Sequence, residues 1–175
     1  ALVASDPAYK ILEVAAYREL LIRQRINEAT RAVMLAYATG SDLDHIASNY
    51  NVERLVIEAG DETTTPPIAP VLESDDELRK RVQLSFEALS VAGPESAYIY
   101  HALSAHASVK DSGVSSPEPG TVVVSILSRE GNGDASTDIL DAVTLALSDD
   151  VRPLTDHVIV QSASIVEYTI EATLS

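Results

Sequence analysis

The longest regular pattern in the chain lies between residues 10 and 37, a stretch without Gly or Pro. Ala, Leu, Glu, Arg and Gln, all strong helix formers, dominate it. Asp6-Pro7 before it is a helix start signal, and Gly40 after it is a stop signal. The sequence therefore predicts one helix over residues 7–38, roughly 45 Å long at about 1.5 Å per residue.

One row of this helix repeats alternately every three and four positions, which is typical of a coiled coil. We call this row the seam; it consists of Leu12, Ala15, Glu19, Ile22, Ile26, Ala29, Val33 and Ala36. Two interpretations of the seam are open. It packs against the helix's own domain with Glu19 at a wet edge, or it receives a helix of another chain on which an Arg meets Glu19.

A second row of the same helix is apolar at its ends and polar between: Val14, Tyr17, Leu21, Gln24, Glu28, Arg31 and Leu35. A helix with apolar residues on two faces generally has neighbours on both, so this one is interpreted as a bundle or assembly element. The mixed second row and the excess of arginine beside it predict contacts between subunits. The residues expected to make them are Tyr17, Arg18, Leu21, Arg25, Glu28 and Arg31.

Shorter helical patterns follow the first one. Ser41 with Asp44, and Ser74 with Glu77, have the spacing of helix-capping boxes. Thr, Pro and acidic residues dominate the segment between the two boxes, which is typical of a loop. The predicted elements are helices over residues 41–49, 74–90 and 94–106, with a loop over residues 50–73.

After residue 107 the apolar period changes from that of a helix to that of a strand. The predicted elements are a hairpin of strands 109–115 and 121–127, a helix over 136–148, and strands over 158–161 and 165–174. We therefore predict an α+β chain with two domains. Residues 1–107 form a helical bundle with one long helix, and residues 108–175 form a small sheet with one or two packed helices.

The net charge of the chain restricts the classes of partner that it can bind. A net charge of −15, from 12 basic and 27 acidic side chains, makes it a poor candidate for binding nucleic acid or an anionic membrane. Residues 1–37 carry five basic and four acidic groups, so the negative charge lies in the remainder. The absence of Cys excludes disulfides and thiolate chemistry. Because the chain begins with Ala and ends within an alternating pattern, we expect it to be part of a longer protein.

The segment over residues 130–136 is the best candidate for ligand chemistry. Its two glycines, between a predicted strand and helix, partly match a dinucleotide-binding motif, but a third glycine is absent, and Glu130 and Asp134 would repel phosphate. Glu130, Asn132 and Asp134 also partly match a calcium loop, yet Ala135 stands where a glycine is needed. A small ligand- or metal-binding module using this segment is the alternative function.

No other pattern points to catalysis. His101 and His106 are five residues apart and so face different sides of a helix, and no Gly-x-Ser-x-Gly elbow is present. The many carboxylates follow from the acidic composition, and no pair stands out as an acid and a base. We expect no enzyme activity, no cofactor and no metal site.

Residues 17–47, YRELLIRQRINEATRAVMLAYATGSDLDHIA, resemble the baseplate J-like family of baseplate assembly proteins from contractile phage tails and related injection particles. Three later stretches agree with the family in order and spacing, at residues 74–81, 116–131 and 151–163. The resemblance covers most of the chain and is most specific in the arginine-bearing helix. The chain departs from the family's pattern at both ends.

The resemblance implies a structural subunit of a baseplate wedge, with no catalytic residues to carry over. It implies two partners, a tail protein I-like wedge subunit and a second copy of the chain. It also implies a location in the virion tail baseplate after assembly in the cytoplasm of the bacterial host. A third possibility, an acidic adaptor for a cellular partner, would show as binding outside any phage context.

Overall fold

The computed structural model describes residues 3, 6–90, 92–169 and 171. Within these residues the chain contains five α-helices and two small sheets, which confirms the predicted α+β class. The chain divides into two compact units, residues 1–51 and residues 52–175.

The first unit begins with the long helix α1, Pro7–Ala32. Its start follows the sequence signal, because the Asp6 carboxylate accepts a hydrogen bond of 2.8 Å from the Ala8 N–H and Pro7 occupies the first turn. Its end was predicted at residue 38 and lies six residues earlier. The chain continues there in tight turns that lead to the fully buried Ala38, so tertiary packing overrides helix propensity.

Helix α2, Gly40–Ser48, completes the first unit. The capping box predicted from Ser41 is wrong: Thr39 is the residue before the first turn, and its side chain makes no capping hydrogen bond. Gly40 has a positive φ of 54° and opens α2 rather than ending α1. Leu43 and Ala47, four residues apart, form the buried face of α2.

The second unit begins in the segment predicted as a loop, which contains two short antiparallel strands, β1 (Val56–Glu58) and β2 (Val71–Leu72). Between them, two backbone hydrogen bonds of 2.9 Å join Asp61 and Ile68. Gly60 lies against this bridge, and a Cβ there would come within 2.4 Å of the Ile68 carbonyl oxygen. Close approach of two backbone segments therefore requires glycine at this position.

Two helices follow, α3 (Asp75–Leu84) and α4 (Glu95–Ala105). The capping box of Ser74 and Glu77 is confirmed, since each side chain bonds the other residue's backbone N–H. Helix α3 ends six residues earlier than predicted, and a short 3₁₀ helix, Glu87–Leu89, occupies half of the remainder.

The three-stranded sheet has the order β3-β4-β5. Strand β3, Val109–Glu118, pairs antiparallel with β4, Thr121–Ser128, as the hairpin pattern predicted. Helix α5, Thr137–Ala146, then leads to β5, His157–Ser162, which pairs parallel with β4. Helices α4 and α5 supply side chains to the core on one face of the sheet, formed mainly by Tyr98, Ala102, Leu103, Val109, Val122, Val124, Ile126, Ile139, Val143 and Leu147.

The two compact units divide after Asn51, whereas the boundary predicted from the sequence is residue 107. The change in the apolar period after residue 107 marks the change from helix to strand. Helix α4 shares one apolar core with the strands that follow it, because Ala102 and Leu103 pack with Val109 and Val124.

The strand predicted over residues 165–174 is not found where the structure describes that segment. Residues 165–169 and 171 have no strand pairing, and the rest of the prediction lies outside the described residues. Val166 and Tyr168 are 80% and 82% exposed. Alternation of apolar and polar residues suits a strand, but a strand also needs a free neighbouring edge, which the sequence does not reveal.

Candidate protein-protein interface

Helix α1 is exposed along nearly its whole length. Every residue from 7 to 31 is exposed, and no residue of the helix is buried in the described part of the chain. Its large apolar side chains are between 39% and 70% exposed: Tyr9, Ile11, Leu12, Val14, Tyr17, Leu20, Leu21, Ile22 and Ile26. Many large apolar side chains exposed together on one helix are typical of an interaction site.

The seam occupies one face of α1, because residues three and four apart lie one above another on a helix. Leu12, Ile22 and Ile26 in the seam are 58–60% exposed, and Val33, just beyond the helix end, is 76% exposed. The described residues of the seam are therefore exposed to solvent along α1. Ala36 falls outside the helix, so the helical seam is shorter than predicted.

Glu19, the polar member of the seam, is paired within α1. Its Oε1 atom accepts hydrogen bonds from Arg23 Nε at 3.0 Å and Arg23 Nη2 at 2.5 Å. Both side chains are largely exposed, at 62% and 73%, so water screens this pair and it contributes little to stability. An arginine of another chain was expected to pair with Glu19. That arginine would have to share the Glu19 carboxylate with Arg23.

The six predicted contact residues all lie on α1 and are exposed. Tyr17, Leu21 and Glu28 follow the second row, while Arg18 and Arg25 lie between that row and the seam. Glu28 accepts a hydrogen bond of 2.8 Å from Gln24 Nε2, and its other carboxylate oxygen lies 3.8 Å from an Arg25 nitrogen. The Arg31 guanidinium lies 6.0 Å from the centre of the Tyr37 ring.

The segment over residues 130–136 offers no open anion cradle. Glu130 accepts a hydrogen bond of 2.6 Å from the Ser108 hydroxyl, and Ser136 precedes α5 without a capping bond from its side chain. A phosphate site needs free backbone N–H groups. Three of these groups in the segment donate within the protein: Gly133 to the Glu130 carbonyl at 3.0 Å, Asp134 to Asn132 Oδ1 at 3.2 Å, and Ala135 to Ser162 Oγ at 2.9 Å.

The histidines form no site within the described residues. His101 is half-buried beside Tyr100, its Nε2 atom is without a hydrogen-bond partner there, and burial lowers the pKa of its imidazole. His106 Nδ1 accepts a hydrogen bond of 3.1 Å from the Ser108 N–H. Across the described ranges, no group of three or more His, Cys, Asp or Glu side chains is arranged to hold a metal ion.

Two buried charged residues were not predicted, Glu73 and Arg81, which are 3% and 5% exposed. The Arg81 guanidinium donates to both Glu73 carboxylate oxygens at 2.8 Å, and its remaining donors reach Ser104 Oγ and the Glu53 carbonyl. The sequence signal is weak: Arg81 shares the apolar face of α3 with Leu78. The network joins the residues before β1 and after β2 to helices α3 and α4.

A small cavity of about 230 Å³ lies beside this network. Two ion pairs line it, since Arg129 is 2.6 Å from Glu77 and Lys80 is 2.9 Å from Asp111. Burial alone would raise the pKa of Glu77, but hydrogen bonds from Arg129 and from its capping partner outweigh that effect and lower it.

None of the described helices is both long enough and apolar enough to cross a membrane. Among the candidate surfaces, the exposed surface of α1 is therefore the main candidate for a functional site.

Two family models match the chain. The baseplate J-like N-terminal domain matches residues 4–61, which include α1 and α2, and the baseplate J-like central domain matches residues 90–162. The chain belongs to the baseplate J-like family, as the resemblance of its arginine-bearing helix predicted. It is similar to baseplate protein J of Escherichia phage P2, with 57% identity over 171 residues. The alignment covers 97% of this chain and 57% of that protein, so the chain spans little more than half the length of this relative.

Proposed function

We propose that the chain is a non-enzymatic structural subunit of a phage-tail baseplate wedge, and that α1 is the element through which it contacts other subunits. The observation that carries this proposal is the exposure of α1 on both of its apolar rows. The similarity to baseplate protein J of Escherichia phage P2 supplies the baseplate context.

The energetics of α1 favour a partner. An isolated helix in water is marginal, and in proteins most helical stability comes from packing an apolar face. Leu12, Ile22 and Ile26 on the seam, and Tyr17 and Leu21 on the second row, leave that packing unused in the chain alone. Burying a side chain of this size contributes about 1.5–3 kcal/mol, so a partner on either row would add several times the stability of a surface ion pair.

The partners that fit this role are other baseplate proteins. We expect a tail protein I-like wedge subunit and a second copy of the chain within the same wedge, located in the virion tail baseplate after assembly in the host cytoplasm. The contact residues are Tyr17, Arg18, Leu21, Arg25, Glu28 and Arg31. The contacts need not involve the segment over residues 130–136, in which three N–H groups donate within the protein.

Co-purification with the neighbouring wedge subunits, with masses from light scattering, tests this function. We expect a hetero-complex of defined mass, and we expect the double substitution Arg25→Glu with Arg31→Glu to weaken it. The matched control is Lys80→Glu with Lys110→Glu, which changes the net charge equally at exposed positions outside α1. A hetero-complex that survives the α1 substitutions and the control equally well would contradict the assignment of α1.

A further inference from the structure

The charges beside the seam all have the same sign. In a coiled coil the seam residues are positions a and d, and the positions that flank them, e and g, decide which partner binds. With Leu12 at a and Ala15 at d, the flanking residues in α1 are Tyr9, Ile11, Ala16, Arg18, Arg23, Arg25, Thr30 and Ala32. The three charged residues among them, Arg18, Arg23 and Arg25, are all arginines.

The side chains of these arginines are exposed to solvent, although Arg23 pairs with Glu19 within α1. The Arg23 and Arg25 side chains are 73% and 83% exposed, and Arg18 is exposed as well. Helix α1 carries five basic and three acidic groups in a chain whose net charge is −15. The long helix is therefore the basic element of an acidic protein.

A second copy of α1 is poorly matched to this seam. In a parallel pair, position g faces position e of the next heptad on the other helix, so Arg18 would face the Arg23 of the second copy. In an antiparallel pair, like positions face each other, and arginine again meets arginine. A parallel pair would also place two Glu19 carboxylates side by side in the seam, where burial makes like charges costly.

Resting on the proposed function of α1, we propose that the seam binds a helix of a different chain whose flanking e and g positions carry Asp or Glu. Such a helix places carboxylates opposite Arg18 and Arg25, and it does not bring a second Glu19 into the seam. Opposite charges at these positions select the partner and its orientation, while the apolar seam supplies the buried surface.

Two synthetic helical peptides of four heptads provide the test. Both carry Leu at a and d, one carries Glu at every e and g position, and the other carries Lys there. Like charges keep each peptide from pairing with itself. By fluorescence anisotropy with the full chain, we expect the Glu peptide to bind roughly tenfold more tightly at low salt, with a smaller difference at high salt.

The double substitution Arg18→Glu with Arg25→Glu should reverse the preference, whereas Lys80→Glu with Lys110→Glu should leave it unchanged. Equal binding of the two peptides, or a wild-type chain that dimerises in sedimentation and loses the dimer on Glu19→Lys, would overturn the proposal. A chain that joins the wedge subunits without peptide preference refutes charge selection and leaves the proposed function intact. A peptide preference without any wedge complex refutes the proposed function instead.

Discussion

Arg81 and Glu73 form a buried pair in which each charged group depends on the other. The arginine donates to both carboxylate oxygens at 2.8 Å, and the Leu55 N–H adds a third hydrogen bond at 3.2 Å. A buried ion pair is weak evidence for net stability, because desolvation offsets much of the attraction. Removing one partner, by contrast, leaves an uncompensated charge inside the protein.

We therefore predict that Arg81→Met lowers the free energy of unfolding by about 3–5 kcal/mol, measured by urea denaturation. Lys80→Met is the control, because the Lys80–Asp111 pair is about half exposed on both sides and should be worth about 1 kcal/mol or less. Removing both charges with Glu73→Leu and Arg81→Met should recover part of the loss. A double variant less stable than Arg81→Met would contradict this account of the pair.

The burial of His101 implies that the stability of the folded chain depends on pH. Burial lowers its pKa in the folded chain below the ordinary value of 6.5. The unfolded chain then binds the proton more readily, so the stability contribution is complete above pH 6.5 and is lost as the pH falls below it. We expect His101→Gln to flatten the decline in melting temperature between pH 7.5 and pH 5.5, a range on either side of the unfolded pKa. His157→Gln, at an exposed histidine, is the matched variant for comparison; identical slopes for both variants would argue against a role for His101.

Among the elements, α1 differs from the core strands in how its hydrogen bonds are protected. It has no buried residue in the described chain, whereas Val124 and Ile126 in β4 are fully buried. Local opening free energies are low where few apolar contacts exist. We predict that the amides of α1 exchange with solvent faster than those of β4 in the chain alone, and that a wedge partner slows exchange in α1 selectively. Equal protection of α1 and β4 before binding would contradict the view that α1 lacks packing.

The elements that the sequence predicted well are those with local signals. The capping box of Ser74 and Glu77 and the alternation along β4 each depend on neighbours within a few residues. The premature end of α1 depends on burial of Ala38, and the absence of a strand at residues 165–169 depends on which sheet edges are free. Both features depend on tertiary contacts, which a local sequence pattern does not reveal.

The same distinction separates the seam of α1 from the buried Arg81 network. The seam was visible in the sequence, because its period of three and four lies within one helix. The Arg81 network was not, because its partners Glu73 and Ser104 lie 8 and 23 residues away and are brought together only by folding. The sequence left open whether the seam packs on its own domain or receives a helix of another chain, since a sequence gives the apolar face of a helix but not what covers it.

At the scale of the whole molecule, the net charge of −15 opposes compactness through self-repulsion. Long-range repulsion of this kind is screened by salt, whereas a buried pair such as Glu73–Arg81 is screened much less. Salt should therefore relieve the repulsion while leaving the internal network intact.

We predict that raising NaCl from about 0.01 M to about 0.15 M, which shortens the screening length from roughly 30 Å to roughly 8 Å, increases the melting temperature. A gain of about 1 kcal/mol would correspond to a rise of roughly 2–4 °C for a chain of this size. The triple variant Glu58→Gln, Glu62→Gln and Glu118→Gln removes three exposed negative charges and should show a smaller rise. A melting temperature that falls with salt would mean that attractive ion pairs, such as Arg129–Glu77, outweigh the net repulsion.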